Sequence, residues 1–287
     1  MGQKENDDPT TKLLKAVDLA GDGPESGPTP EVGWSVDKGT VRENNEDSLA
    51  AITFNQAGAA DSASVGVYAV ADGMGGQASG EVASQLAIHT AITELLGSVT
   101  ETDGPMPDNY RRWLEAAVSM ANGLVHQKGR ETKREMGTTL VIAVVVGKDV
   151  HIANVGDSRA YLITPNGMDQ ITHDQSMVQA LVDTGAITPD EAAEHPYRNV
   201  LTQAIGTSDQ VKVDLFNKTL HEGESLLLCS DGLWGTLSDE EILAIAQKAD
   251  SPSAACQALV DACNARGASD NIAVVLVRPR TTTTGST

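Results

Sequence analysis

Aromatic side chains are scarce in this sequence, at 3%, with two phenylalanines in 287 residues. A chain of this length is ample for one sizeable core, so that core is expected to be built from Ala, Val, Leu and Ile rather than from rings. Cysteine is rarer still. Cys229, Cys256 and Cys263 are odd in number and show no C-x-x-C spacing, which excludes a disulfide framework and a zinc site. They read as buried, inert thiols, and the spacing of Cys256 and Cys263 places both on the core face of one helix. Positive charge is short as well: 20 Lys and Arg stand against 40 Asp and Glu, a formal charge of -20. Nucleic acids and anionic lipids need a basic footprint, so neither is expected as a partner. Most of the acidic excess reads as solubility, and part of it is available as ligand carboxylate. No apolar run reaches the ~18–20 residues that span a bilayer. Residues 1–31 contain no stretch apolar enough for a signal peptide. The expectation is a cytoplasmic protein without a membrane span.

What the chain does contain is a repeated junction between apolar runs and aspartate. Residues 67–76 read Val-Tyr-Ala-Val-Ala-Asp-Gly-Met-Gly-Gly, a buried strand that ends in Asp72 and glycines. Glycine there lets the backbone turn sharply and lets an ion or phosphate approach closely. Residues 225–232 end in Asp231-Gly232, residues 150–157 end in Gly156-Asp157, and Asp270-Asn271 directly precedes the apolar run 272–277.

Strands are expected at 32–37, 48–54, 65–72, 138–146, 150–154, 159–163, 211–215, 225–230 and 272–277. The three around residue 150 read as an antiparallel meander. Helices are expected at 80–97, 108–126, from Ser238, and at 252–265. Residues 172–206 read as a mostly helical polar insert, with Thr188-Pro189 as a helix start. Strands come in blocks separated by helix pairs, which points to α+β architecture with antiparallel sheets covered by helices. Residues 1–31 read as a disordered leader with a short amphipathic segment at Leu13 to Leu19. Residues 32–279 read as one domain and 280–287 as a disordered tail.

Gathered in one place, Asp72, Asp157, Asp231 and Asp270 would repel one another unless cations neutralised them. With no Cys or His at ligand spacing, an all-oxygen site favours a hard ion such as magnesium, manganese or calcium. Any one Asp beside Gly is most simply a turn residue; four at strand margins favour a metal site. Residues 42–47 read Arg-Glu-Asn-Asn-Glu-Asp and add Glu46, Asp47 and a guanidinium, Arg42, whose planar fork matches phosphate oxygens.

These segments, together with Met136-Gly137-Thr138-Thr139, Thr172-His173-Asp174-Gln175-Ser176, His195-Pro196-Tyr197-Arg198-Asn199 and Ser230-Asp231-Gly232-Leu233-Trp234, resemble the metal-dependent serine/threonine protein phosphatases of type 2C in their bacterial form. The resemblance covers nearly all of 32–278 in the family's order. It implies a four-layer α-β-β-α sandwich, two central antiparallel sheets flanked by helices, with 172–206 as a flap beside the site. It implies two to three divalent cations, Mn2+ or Mg2+. Asp72 would bridge two of them, with the Gly73 carbonyl on one. Asp231 and Asp270 would complete a shell, Glu46 and Asp47 would act close by through water, and Asp157 with Asp231 would hold a third ion. Arg42 would hold the substrate phosphate. Ser176 and His195 are flap candidates. The implied reaction is hydrolysis of phosphoserine and phosphothreonine in proteins, by attack of a hydroxide shared by two ions, opposing a bacterial serine/threonine kinase. The substrates are phosphorylated proteins, a cognate kinase is a partner, and the working unit is a monomer. Animal members carry a histidine, proposed as general acid, where this chain has Met74; His173 and His195 stay open as substitutes.

Two rivals accompany this reading. Gly73 to Ala78 also fits G-x-G-x-x-A, the dinucleotide fingerprint, which requires a βαβ unit. A noncatalytic phosphoprotein-binding relative would be expected to lack metal acids that this chain retains.

Overall fold

The computed structural model describes residues 29–56, 63–75, 79–100 and 107–280. Nearly all of the expected leader, and the tail beyond residue 280, lie outside the described residues. In chain order the elements are β1 (Glu31–Asp37), β2 (Asp47–Gln56), β3 (Ala63–Met74), α1 (Ser79–Thr100), α2 (Pro107–Thr132), β4 (Gly137–Thr138), β5 (Leu140–Val146), β6 (Asp149–Val155), β7 (Arg159–Thr164), β8 (Gly167–Gln170), α3 (Met177–Asp183), α4 (Pro189–Ala193), β9 (Asp214–Thr219), β10 (Ser225–Cys229), α5 (Asp231–Trp234), α6 (Asp239–Lys248), α7 (Pro252–Ala265) and β11 (Ile272–Arg278).

One sheet runs β2-β3-β5-β6-β9, with β4 attached to β3; the other runs β1-β11-β10-β7-β8. Side chains alternate across each strand, and that alternation builds three apolar layers. On β3, Val65, Val67, Ala69 and Ala71 face α1 and α2, while Tyr68 and Val70 face the other sheet. On β10, Leu226 and Leu228 face inward between the sheets, while Leu227 and Cys229 pack under α6 and α7. The result is the expected α-β-β-α sandwich, and its core is aliphatic as the composition requires. All three cysteines are buried, with Cys256 and Cys263 on the same core face of α7.

The antiparallel pairing of β3 with both β2 and β5 removes the dinucleotide-fold rival, which needs parallel strands. It also corrects several local expectations. The meander around residue 150 is broken: β5 and β6 pair, but β7 belongs to the opposite sheet, beside β10. The chain changes sheets at Gly156, whose φ of 101° suits glycine; three successive strands look alike in sequence whether or not the turn crosses between sheets.

The insert is less helical than expected. Only the short α3 and α4 form, each with a side-chain N-cap, Ser176 and Thr188. Thr172, Asp174 and Gln175 are buried in its extended entry. The strand expected at 211–215 starts at Asp214, because Val211 and Val213 pack against the core beside α2 without joining the ladder. The polar β8, which pairs with β7, carries no apolar signal and was not expected.

Leu228 is fully buried between the two sheets. Leu228→Ala should lower unfolding free energy by about 3 kcal/mol. A urea titration should show this as a fall in midpoint with an unchanged slope.

Candidate metal centre and active site

At one end of the sandwich, strand termini from both sheets converge. Asp47 opens β2 and stands directly opposite Asp72 in the β2–β3 register. Asp72 therefore lies two residues inside its strand rather than at the tip. Its backbone is clamped: its N–H donates to Thr139 Oγ1 at 2.8 Å, and its carbonyl accepts from Thr138 Oγ1 at 2.8 Å and Thr139 N–H at 2.9 Å. The Gly73 N–H donates to the Glu46 carbonyl at 3.1 Å. A Cβ on Gly73 would fall 2.2 Å from Gly80 O and 2.5 Å from Glu46 O, so only glycine lets β2, β3 and the start of α1 meet here.

From the other sheet, Ser230 ends the β10 run and Asp231 begins α5. Ser230 Oγ donates to Asp47 Oδ2 at 2.6 Å and accepts from Ala273 N–H at 2.9 Å, tying the two sheets together through one hydroxyl. Asn271 secures the remaining corner. Its Oδ1 accepts from Glu46 N–H at 2.8 Å, and its Nδ2 donates to the carbonyls of Lys38 and Asn44, both at 3.0 Å. This pins the segment carrying Arg42, Glu46 and Asp47 against Asp270.

The carboxyls of Asp47 and Asp231 both lie within hydrogen-bonding reach of Asp72. Burial is the main cause that pushes the Asp47, Asp72, Asp157 and Asp231 carboxyls above the usual carboxylate range, and neighbouring acids add to it. Glu46 is raised by burial too, with Arg42 opposing. The two guanidiniums near the cluster are already committed. Arg42 Nη2 reaches Asp270 Oδ2 at 2.7 Å. Arg159 grips Asp174 with two nitrogens, at 3.0 and 2.7 Å, and stacks on Trp234 at 3.7 Å.

Asp47 Oδ1 and Asp231 Oδ1 are buried without a hydrogen-bond partner. Orphaned anionic oxygens beside a third carboxyl are costly in a protein interior, and divalent cations would relieve them. Among the described residues, no three His, Cys, Asp or Glu side chains stand in a closed metal-holding group. Magnesium- or manganese-type ligation takes one or two carboxylates per ion and leaves the other positions to carbonyls and water. Asp72, Asp231, Asp47 and the Gly73 carbonyl could hold such ions, with Asp270 and Glu46 at the rim and Asp157 on the far side of Asp231.

Of the residues singled out from sequence, the acids and Arg42 come together at this end. Ser176 and His195 both lie in the insert. Ser176 is buried as the α3 cap, accepting from Gln179 N–H at 3.2 Å. His195 Nδ1 accepts from Tyr197 N–H within the insert. His173 pairs with exposed Asp183 at 2.8 Å. Ser230, Thr139, Asn271 and Asp174 are positioning residues whose parts were not legible. Ser230 and Asn271 adjoin the acids in sequence, but nothing local distinguishes a sheet-to-sheet strut from a turn residue.

Acids gathered where two antiparallel sheets meet between helix layers suit divalent cations, and comparison places the chain among the protein phosphatases. It belongs to the protein phosphatase 2C family, whose model matches residues 41–276, and it is a protein serine/threonine phosphatase. It is similar to protein phosphatase PhpP of Streptococcus pneumoniae, 36% identical over 249 residues, covering 86% of this chain and 96% of PhpP. The crystal structure of serine/threonine phosphatase Stp1 from Staphylococcus aureus superposes with a TM-score of 0.78 at 34% identity, covering 92% of this chain and 100% of that one. The catalytic domain of PstP in complex with two manganese ions gives 0.71 at 35% identity, covering 87% and 99%.

Cations that fill this pocket should stabilise the fold. Manganese at about 100 times its Kd should add roughly 2.7 kcal/mol, read as a raised Tm. Asp231→Asn removes one buried charge, so the metal-free variant should melt no lower than wild type while losing most of the manganese-induced rise. A variant that keeps the full rise would place the ions elsewhere.

Proposed function

We propose that the acidic end of the sandwich hydrolyses phosphoserine and phosphothreonine in proteins by direct transfer of the phosphoryl group to water, using two to three Mn2+ or Mg2+ ions. The observation that carries this reading is the trio of buried Asp47 with half-buried Asp72 and Asp231, with two carboxylate oxygens left unpartnered. When bound, divalent ions supply a water readied for attack and offset charge on the transferring phosphoryl group. That related PstP holds two manganese ions supports the number and the metal.

The chain's own residues do the rest. Asp72 and Asp231 hold the ions, with Asp47, Glu46, Asp270, Asp157 and the Gly73 carbonyl completing the donor set. Ser230 and Asn271 fix the angle at which those donors meet. Arg42, exposed on one side and paired with Asp270, swings its guanidinium onto the phosphate oxygens and orients them. No phosphoenzyme forms. Burial pushes the Cys256 thiol up to about 12 and Cys263 to about 11, and raises Cys229 further, so none is a nucleophile at neutral pH. Met74 offers no proton, and His173 and His195 are held by partners within the insert, so the leaving alkoxide takes its proton from solvent.

A phosphatase of this type opposes a serine/threonine kinase, and a cognate kinase is partner and substrate in this reading. The working unit in this reading is a monomer. No helix among the described residues is long and apolar enough to cross a membrane; the reading places the enzyme in the cytoplasm.

Turnover of p-nitrophenyl phosphate and of a phosphothreonine peptide should require manganese or magnesium and vanish in chelator. Asp231→Asn should lose on the order of 100-fold or more, and Arg42→Ala should raise KM by roughly 10–100-fold, the worth of a charge-assisted hydrogen bond. Full turnover in chelator would end the proposal.

A further inference from the structure

Beside the acidic pocket lies a groove of opposite sign. It is a cavity of about 700 Å³ walled by Met74 and Gly75 on one side and by Arg130, Lys133, Arg134 and Glu135 on the other. Its position is fixed by pairing at the end of β3. Thr138 of β4 stands opposite Gly73, and Gly137 stands opposite Met74. The basic corner is thus joined, three residues upstream of Gly137, to the strand that carries Asp72. Met74 lies two strand residues past Asp72, about 7 Å at ~3.3 Å per residue.

Two features of this corner, its charge and the lack of ion pairs among the described residues, have no evident structural use. The chain carries a formal charge of -20, yet three cations meet here with Glu135 as the one acid on the same wall. None of Arg130, Lys133 and Arg134 takes part in a salt bridge among the described residues. Lys133 holds a left-handed φ of 55° as the residue that closes the C-terminal end of α2, its N–H donating to the Arg130 carbonyl. The backbone there folds back, with Arg134 N–H donating to the Gly129 carbonyl at 3.1 Å, and this brings the basic residues onto one rim. A basic residue in the last turn of α2 complements the helix dipole, which accounts for Arg130 but not for Lys133 or Arg134 beyond the helix.

We propose that this groove is a substrate subsite that receives anionic side chains flanking the phosphoresidue, either carboxylates or a second phosphate. The inference rests on the phosphatase reading above and adds a sequence preference to it. With a phosphoresidue at the acidic pocket, an extended peptide advancing ~3.3–3.6 Å per residue brings its second to fourth neighbour over Arg130, Lys133 and Arg134. The arrangement also suits an acidic enzyme. The overall charge repels acidic peptides, and the groove offers them one favourable lane and so sets their register.

The test uses the full chain with manganese and the variant Arg130→Ser/Lys133→Ser/Arg134→Ser, with Lys248→Ser on distant α6 as control. Substrates are p-nitrophenyl phosphate, a neutral phosphothreonine peptide, and versions carrying Asp or a second phosphothreonine two to four positions to either side. The triple variant should turn over p-nitrophenyl phosphate and the neutral peptide within about twofold of wild type, while kcat/KM on the anionic peptides falls about tenfold, the sum of a few exposed ion pairs. The difference should fade near 1 M salt, and the control should match wild type. Equal loss on every substrate, or no wild-type preference for anionic peptides, overturns the subsite. Fluorescence anisotropy of the labelled anionic peptides in chelator separates the two readings. Weaker binding by the triple variant supports the groove even if nothing is turned over, and unchanged binding counts against it. Absence of turnover on all substrates by wild type counts against the phosphatase reading alone.

Discussion

Like charges buried in contact are the most expensive arrangement in this molecule, and the architecture around them can be understood as the means of enforcing it. Asp47, Asp72 and Asp231 are drawn from two different sheets and pressed together away from water. Left to themselves such groups separate or take up protons. Here they do not separate, because the backbone that carries them is held by bonds that have nothing to do with their charge. These are the antiparallel β2–β3 ladder, the Thr138-Thr139 clamp on Asp72, and the Ser230 hydroxyl that joins Asp47 to β11. A site held this rigidly carries its electrostatic strain until a cation arrives, which is how metal affinity and folding become coupled.

The aliphatic sandwich is what makes that rigidity affordable. Small residues on β3, Ala69 and Ala71, allow α1 to approach closely, and glycines at 73 and 80 let that helix begin against the acid-bearing strand. The inward faces of β10 and β11 are closed by Leu226, Leu228, Val275 and Val277. The polar groups around the carboxyls, Ser230, Thr138, Thr139 and Asn271, are spent on holding backbone and neighbours, which leaves two carboxylate oxygens for a compensating ion. The same economy shows on the far side, where Arg159, gripped by Asp174 and stacked on Trp234, forms a backing for Asp157 rather than a free counter-charge.

Much of this was legible in the chain because the signals are local. Apolar runs that stop at Asp and Gly announce strands with acids near their ends, and ordered family segments extend the inference to the whole sandwich. What stayed hidden depends on contacts distant in sequence. The switch of β7 to the second sheet is written in no periodicity, since the strand that holds it there, β10, lies far along the chain. Asn271 bonds backbone more than 220 residues away, and Ser230 reaches Asp47 across 183. Arg42 stood out by its planar guanidinium beside the acids, but its partner Asp270 is 228 residues distant and was not legible. The insert looked helical because Thr188-Pro189 is a true helix start, but buried Asp174 and Gln175 hold its entry extended.

The central claim is that these acids are gathered to hold divalent cations. Anomalous diffraction at the manganese edge from crystals grown with manganese tests it most directly. The account predicts strong peaks within ligand distance of the Asp72 and Asp231 carboxylates and of the Gly73 carbonyl. Well-ordered crystals of the active protein with no peak there, or with manganese bound only at surface acids, would contradict it.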